Sequence, residues 1–250
     1  MTEPCIYALD FDGVICDSAI ETGITGWKAA SQLWDDMSGE LPAQSFLDDF
    51  RRVRPVLETG YEAILIMRLL FQGTAADTLL GHFSEQIQAI IQKENLDTDQ
   101  LKHLFGETRD LWIEKNLQQW IAMNPLFPGI AAKLQALNKN CLWYIITTKQ
   151  ERFVKQILNA HNLELTNERI YGLDRNMSKV AVLQQLLETH PDQSIYFLED
   201  RLPTLQTVMQ HQELAMIKLF LASWGYNTDE DRNAVTNSPI TLINIEQFTE

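Results

Sequence analysis

Hydrophobic positions fall into two rhythms along the chain. Near the start, Ile6, Tyr7, Ala8 and Leu9 form an unbroken apolar run that ends on Asp10. A run without alternation reads as a strand covered on both faces, as in a parallel sheet. From about residue 19 to 122 the rhythm is helical. Leu101, Leu104, Phe105, Leu111 and Trp112 recur at helical spacing, with Glu107, Arg109, Asp110 and Glu114 between them, which predicts an amphipathic helix. Phe83, Ile87, Ile90 and Ile91 mark a second helix, and Tyr61 to Phe71 a third, largely apolar one. The Leu41-Pro42 and Arg54-Pro55 steps interrupt the pattern, because a residue before proline is pushed out of helical geometry.

From Pro125 onward, strand and helix patterns alternate. Pro128 suits a helix first turn, and Ile130 to Leu137 is that helix, closed by the turn Asn138-Lys139-Asn140. Strands are expected at Cys141 to Ile146, Arg169 to Tyr171, Ser194 to Leu198 and, last, Ala215 to Leu221. Helices are expected at Glu151 to Leu158, Lys179 to Leu187 and Thr204 to Gln210. Such alternation predicts an α/β fold, a Rossmann-like parallel sheet with helices on both faces. The first strand joins that sheet across an inserted helical bundle. The expected organisation is therefore residues 1–18 as the first strand and its loop, 19–122 as the all-helical insertion, and 123–250 as the remainder of the core.

Length and composition fit this picture: 250 residues hold one large domain or a domain with a sizeable insertion, and 45% hydrophobic residues suffice for a core. Twenty basic against 34 acidic residues give a net charge of -14, which repels polyanions and argues against nucleic acid as a partner. A small phosphorylated substrate is still compatible, since distant surface charges are screened beyond ~8 Å. No apolar stretch reaches the ~18 residues of a membrane span, and no charged-then-apolar leader precedes the first strand. Cys5, Cys16 and Cys141 show no metal-type spacing; Cys5 and Cys141 border apolar runs and are expected as buried free thiols, in a reducing compartment, most simply the cytoplasm. Cys16 lacks a local histidine to activate it, which argues against a nucleophile there.

The chemistry concentrates at Asp10-Phe11-Asp12-Gly13-Val14. Two carboxylates two residues apart stand where an open α/β sheet binds its ligands. They repel one another and need a cation to ionise together. That suggests a magnesium site with one oxygen left for attack; an aspartate-rich turn is the alternative. The segment resembles the first motif of the haloacid dehalogenase superfamily, whose phosphatase branch carries Asp-x-Asp-Gly-Thr/Val at the end of its first strand. The resemblance implies Asp10 as nucleophile and metal ligand. Asp12 would carry a proton to the leaving oxygen, with its backbone carbonyl on the metal.

Three later segments follow in the family's order. Ile145-Ile146-Thr147-Thr148-Lys149 is similar to the second motif, with Thr147 donating to a phosphoryl oxygen and Thr148 as a substrate contact; by residue type alone Thr147 also reads as a helix cap. Lys179 sits in a helix first turn behind Ser178, where the macrodipole opposes it, so an anion nearby is expected. It matches the third motif, although Val180 stands where Lys-Pro is frequent, and Lys149 and Lys155 are alternatives. Glu199-Asp200 is similar to the fourth motif in its Glu-Asp variant, with Asp200 and Glu199 as metal ligands and Thr204 where many relatives have a further aspartate. The cofactor implied is Mg²⁺, for which hard oxygen ligands are suited.

The likeness covers residues 1–18 and about 125–230, including Pro128-Gly129 and a Trp224-Gly225-Tyr226 segment similar to one in phosphoglycolate phosphatase-like members. The inserted helices match in position only, that of the family's helical cap. Within them Arg54 and Glu58 are candidates for contact with the leaving group, or a solvated helix end. Trp27-Lys28 is another possible contact, with Trp27 read as core. The function implied is Mg²⁺-dependent hydrolysis of a small phosphorylated metabolite through an aspartyl-phosphate. A phosphosugar mutase and a catalytically silent binding protein on the same fold are the alternatives. A dehalogenase needs neither Asp12 nor the acidic pair. Substrate identity and oligomeric state are left open.

Overall fold

The structure is a computed structural model and describes residues 5–39 and 41–250; Met1–Pro4 and Glu40, which the expected 1–18 and 19–122 segments include, lie outside the described residues. The described residues form two compact units, 5–17 with 125–250, and 18–39 with 41–124.

The first unit is built on a six-stranded, all-parallel sheet. Its strands are β1 (Cys5–Leu9), β2 (Cys141–Ile146), β3 (Ile170–Tyr171), β4 (Ser194–Glu199), β5 (Lys218–Ala222) and β6 (Thr241–Ile243), in the order β3-β2-β1-β4-β5-β6. The apolar run at Ile6–Leu9 becomes the central strand, paired on both sides, which is why it needs no polar alternation. Ile6, Ala8, Ile195, Phe197, Leu219 and Leu221 point to one face. There they pack on helices Lys179–Thr189 and Leu202–Met209 through Val182, Leu183, Leu186, Leu205 and Val208. The opposite face carries Tyr7 and Tyr196, which stack with ring centroids 5.1 Å apart, and Phe248 of the short helix Ile245–Thr249 packs against Tyr7. Helices Ile130–Asn140, Glu151–Ala160 and Asp229–Ala234 complete the unit.

Three expectations are corrected here. The strand ending near Leu221 is not the last: β6 follows, since three residues, Thr241–Ile243, suffice to extend a parallel edge but are too few to show a period in sequence. Asn138-Lys139-Asn140 is the last turn of a helix, not a separate turn. Cys5 and Cys141 are not thiols but a disulfide; β1 and β2 pair in a register that sets them side by side, with Cα atoms 5.1 Å apart. Separated by 136 residues, they gave no local sign of that neighbourhood. Their content therefore lends nothing to a reducing compartment. Under denaturing, non-reducing conditions a thiol-alkylating reagent is expected to label one cysteine, Cys16, and all three after reduction, as read by intact mass; three labels before reduction would refute the pairing.

Among the described residues the second unit holds five α-helices: α1 (Ala19–Leu33), α2 (Gln44–Val53), α3 (Glu62–Phe71), α4 (Ala76–Glu94) and α5 (Thr98–Ala122). Helices α1 and α3 cross so closely that a Cβ on Gly26 would sit 2.5 Å from the Ala63 carbonyl oxygen. Trp27 is buried, as read from the sequence, and its indole donates to the Gly39 carbonyl. On α5 the expected apolar face is partly wrong. Leu101, Phe105 and Trp112 are buried, but Leu111 is 60% exposed and Arg109 is buried in its place. Arg109 is turned inward by a buried carboxylate, Glu21 of α1, with Nε to Oε1 at 2.8 Å and Nη2 to Oε2 at 2.6 Å. A charge count along one helix cannot anticipate a partner 88 residues away. The helix also breaks at Asn116, whose side-chain oxygen accepts from the Gln119 amide and restarts it. No helix among the described residues is long and apolar enough to cross a membrane.

Candidate active site

Parallel strands deliver their C-terminal ends to one edge of the sheet, and the sequence places its acids and hydroxyls there. Asp10 follows β1 directly, and its amide donates to the Leu198 carbonyl of β4, tying the two strand ends together. The chain then turns tightly: the Ile15 and Cys16 amides both donate to the Phe11 carbonyl, and the Gly13 amide to that of Cys16. Gly13 has φ +90°, open to glycine and strained for other residues. A Cβ there would lie 2.0 Å from Asp200 Oδ2. The glycine thus lets the loop close onto the acid at the end of β4.

Asp10, Glu199 and Asp200 are all buried and offer one oxygen each within 4.8 Å of one another. Lys179, at the start of its helix, bridges two of them, with Nζ 2.7 Å from Asp10 Oδ1 and 2.5 Å from Glu199 Oε2. This is the anion its first-turn position called for. Ser178 caps the same helix by accepting from the Ala181 amide. Lys155 pairs with Glu151 instead. Lys149, the other lysine considered, has its own acid: its Nζ is 2.9 Å from Asp12 Oδ1 and its side chain has no exposed surface.

The electrostatics follow from this crowding. Burial pushes the Asp10 carboxyl up; the Lys179 ammonium pulls it down, and Glu199 and Asp12 raise it again, leaving it at about 7. Burial alone would lower Lys179, but the carboxylates of Asp10 and Glu199 outweigh it and hold the ammonium above its ordinary value. Three buried acids against one bridging ammonium leave an excess of negative charge. Hard oxygen donors in that number could hold a metal ion. Glu199 is engaged through both oxygens, Oε2 by Lys179 and Oε1 by the Arg201 amide at 3.1 Å.

Thr147 follows β2, and its amide donates to the Tyr171 carbonyl. It does not cap the next helix, whose N-cap is Gln150; its hydroxyl oxygen accepts from the Lys149 amide at 3.1 Å. Thr148 is exposed. The segment after β5, which includes Trp224-Gly225-Tyr226, holds the acid at the end of β4. The Tyr226 amide donates to Asp200 Oδ2 at 2.7 Å, and the Asn227 amide group donates to the Asp200 carbonyl at 3.0 Å. Tyr226 also reaches Asp17 through its hydroxyl, and Trp224 donates to the Val14 carbonyl. Asp200 is thus fixed from outside its own loop. Asn227 gave no signal in sequence, being a lone polar residue after a strand.

Arg54 and Glu58 belong to the helical unit. Arg54 is 6% exposed and donates to the Leu57 carbonyl, so it is no solvated helix end; Glu58 is exposed, with its amide capped by Glu62.

No protein-family model and no curated protein sequence matches the chain. Solved structures do. A haloacid dehalogenase-like hydrolase from Streptococcus pneumoniae superposes with a TM-score of 0.59 at 18% identity, over 97% of this chain and 95% of the other. A predicted phosphoglycolate phosphatase from Haemophilus somnus reaches 0.62 at 15% identity, over 100% and 96%. A predicted phosphatase from Clostridium acetobutylicum gives 0.60 at 15%, over 99% and 97%. The fold is that of haloacid dehalogenase-like hydrolases. At these identities the likeness is one of fold. Within the haloacid dehalogenase fold of this chain, the four segments read from sequence stand at the ends of adjacent strands β1, β2 and β4 and at the helix that follows β3.

Proposed function

We propose that the protein is a Mg²⁺-dependent phosphatase that hydrolyses a small phosphorylated metabolite through an aspartyl-phosphate on Asp10. The observation that carries this reading is the buried set Asp10, Glu199, Asp200 and Lys179, with Asp12 one loop turn from Asp10. Asp10, the Asp12 backbone carbonyl and Asp200, with Glu199 behind them, would hold the cation. Mg²⁺ bound there would neutralise charge on the phosphoryl group and on the acids around it.

The chain's own groups account for the two half-reactions. An Asp10 oxygen attacks phosphorus as the ester P–O bond breaks. The electron pair leaves with the substrate oxygen, which takes a proton from Asp12. Water then attacks the phosphorus of the aspartyl-phosphate, gives its proton to Asp12, and the Asp10 carboxylate departs. The sum is ester plus water to alcohol plus phosphate. Lys179 and the Thr147 hydroxyl stabilise the phosphoryl oxygens, and Thr148 lines the approach. Substrate choice is assigned to the helical unit, with the Arg54–Glu58 segment as its first candidate.

The test is release of inorganic phosphate from a panel of phosphorylated metabolites. Release is expected to stop on chelation with EDTA and return with Mg²⁺. Silence across the panel with Mg²⁺ present would favour a binding role on this fold, and transfer of the phosphoryl group within a sugar phosphate would favour the mutase.

A further inference from the structure

The phosphatase reading gives Asp12 its proton-carrying role but leaves unexplained why a lysine is buried against it. A lysine with no exposed side-chain surface is costly unless its charge is paired. Among the described residues Lys149 forms one ion pair, to Asp12 Oδ1 at 2.9 Å. The lysine is itself held. Its amide donates to Thr147 Oγ1, its carbonyl accepts from the Leu173 amide at 3.1 Å, and a Cβ on Gly172 would come within 2.7 Å of that carbonyl. The stem therefore starts from a fixed point and ends on the acid.

Asp12 sits in the turn after β1, and its Oδ1 is the atom the lysine reaches. Fixing Oδ1 fixes the plane of the carboxylate, and with it the direction of Oδ2. From these contacts we infer that Lys149 is a positioning residue for the Asp12 carboxylate, aiming it at the oxygen of the departing alcohol. It acts through Asp12 and is distinct from Lys179, which binds Asp10 and Glu199. The inference rests on the phosphatase reading and adds a residue to it.

Its consequence depends on the leaving group. An alkoxide leaves only with a proton, whereas p-nitrophenolate leaves without one, so aim at the leaving oxygen matters for the first and little for the second. The experiment compares ethyl phosphate and p-nitrophenyl phosphate, with Mg²⁺, for the unaltered full chain, Lys149→Met, Asp12→Asn and the double variant, after circular dichroism confirms folding. Lys149→Met is expected to lower kcat for ethyl phosphate at least about tenfold more than for p-nitrophenyl phosphate, with KM nearly unchanged. Added to Asp12→Asn it is expected to cost nothing further. Equal losses on both esters, or an additive loss in the double variant, would overturn the inference while leaving the phosphatase reading intact. No Mg²⁺-dependent release by the unaltered chain would overturn the reading, and this inference with it. Should Lys149→Met not fold, Lys149→Gln, which keeps a donor without the charge, is expected to show the same split in smaller measure.

Discussion

Asp10→Asn is expected to reduce Mg²⁺-dependent phosphate release by about 10⁴-fold or more, the scale seen when a nucleophile is removed from a catalytic unit. The substitution keeps the shape of the side chain and removes both of its assigned functions. An amide oxygen is a poor nucleophile toward phosphorus, and a neutral amide contributes no charge to a cation site. The loss should appear in kcat for every substrate, because the step removed is common to all of them. The fold should survive, since Lys179 keeps Glu199 at 2.5 Å as its second carboxylate. Far-UV circular dichroism checks that point. After acid quenching, the unaltered chain is expected to carry phosphate on the peptide containing Asp10, and the variant none. Retention of activity by a folded Asp10→Asn chain would remove Asp10 as the nucleophile.

Much of the core and of the acidic centre was legible because both depend on local pattern. A buried central strand must be apolar throughout, so Ile6–Leu9 announced β1 and placed Asp10 at its end. Lys179 was legible through a local conflict, a cation in a helix first turn, whose resolution is the pair of carboxylates it bridges. What the sequence could not show lies in contacts between residues distant along the chain. The Cys5–Cys141 disulfide follows from a strand register. The Lys149–Asp12 pair spans 137 residues, and the support of Asp200 by Tyr226 and Asn227 spans 26 and 27. β6 was missed for a different reason, its brevity. On α5 the hydrophobic count favoured Leu111 as core, whereas a buried acid on another helix drew Arg109 inside.

That acid sets the second large expectation. Glu21 is fully buried and gathers Thr25 Oγ1 at 2.7 Å, Trp120 Nε1 at 2.9 Å and the two-pronged Arg109. Arg109→Met, similar in length and able to fill the apolar space, leaves a buried carboxylate without its countercharge. It is expected to destabilise the helical unit by about 3–5 kcal/mol, the cost of breaking a buried pair on one side. Glu21→Gln together with Arg109→Met should recover much of that loss, because a neutral amide can still accept from Thr25 and Trp120. Urea unfolding of the full chain, followed by circular dichroism and by tryptophan fluorescence, reads both values. Equal destabilisation in the single and double variants would mean that packing of the arginine stem carries the effect. The expected recovery would instead locate the energy in the charge. A bidentate pair is satisfied in a narrow range of geometries, so a charge-borne effect would also make the pair a constraint on how α1 and α5, 88 residues apart at this contact, meet.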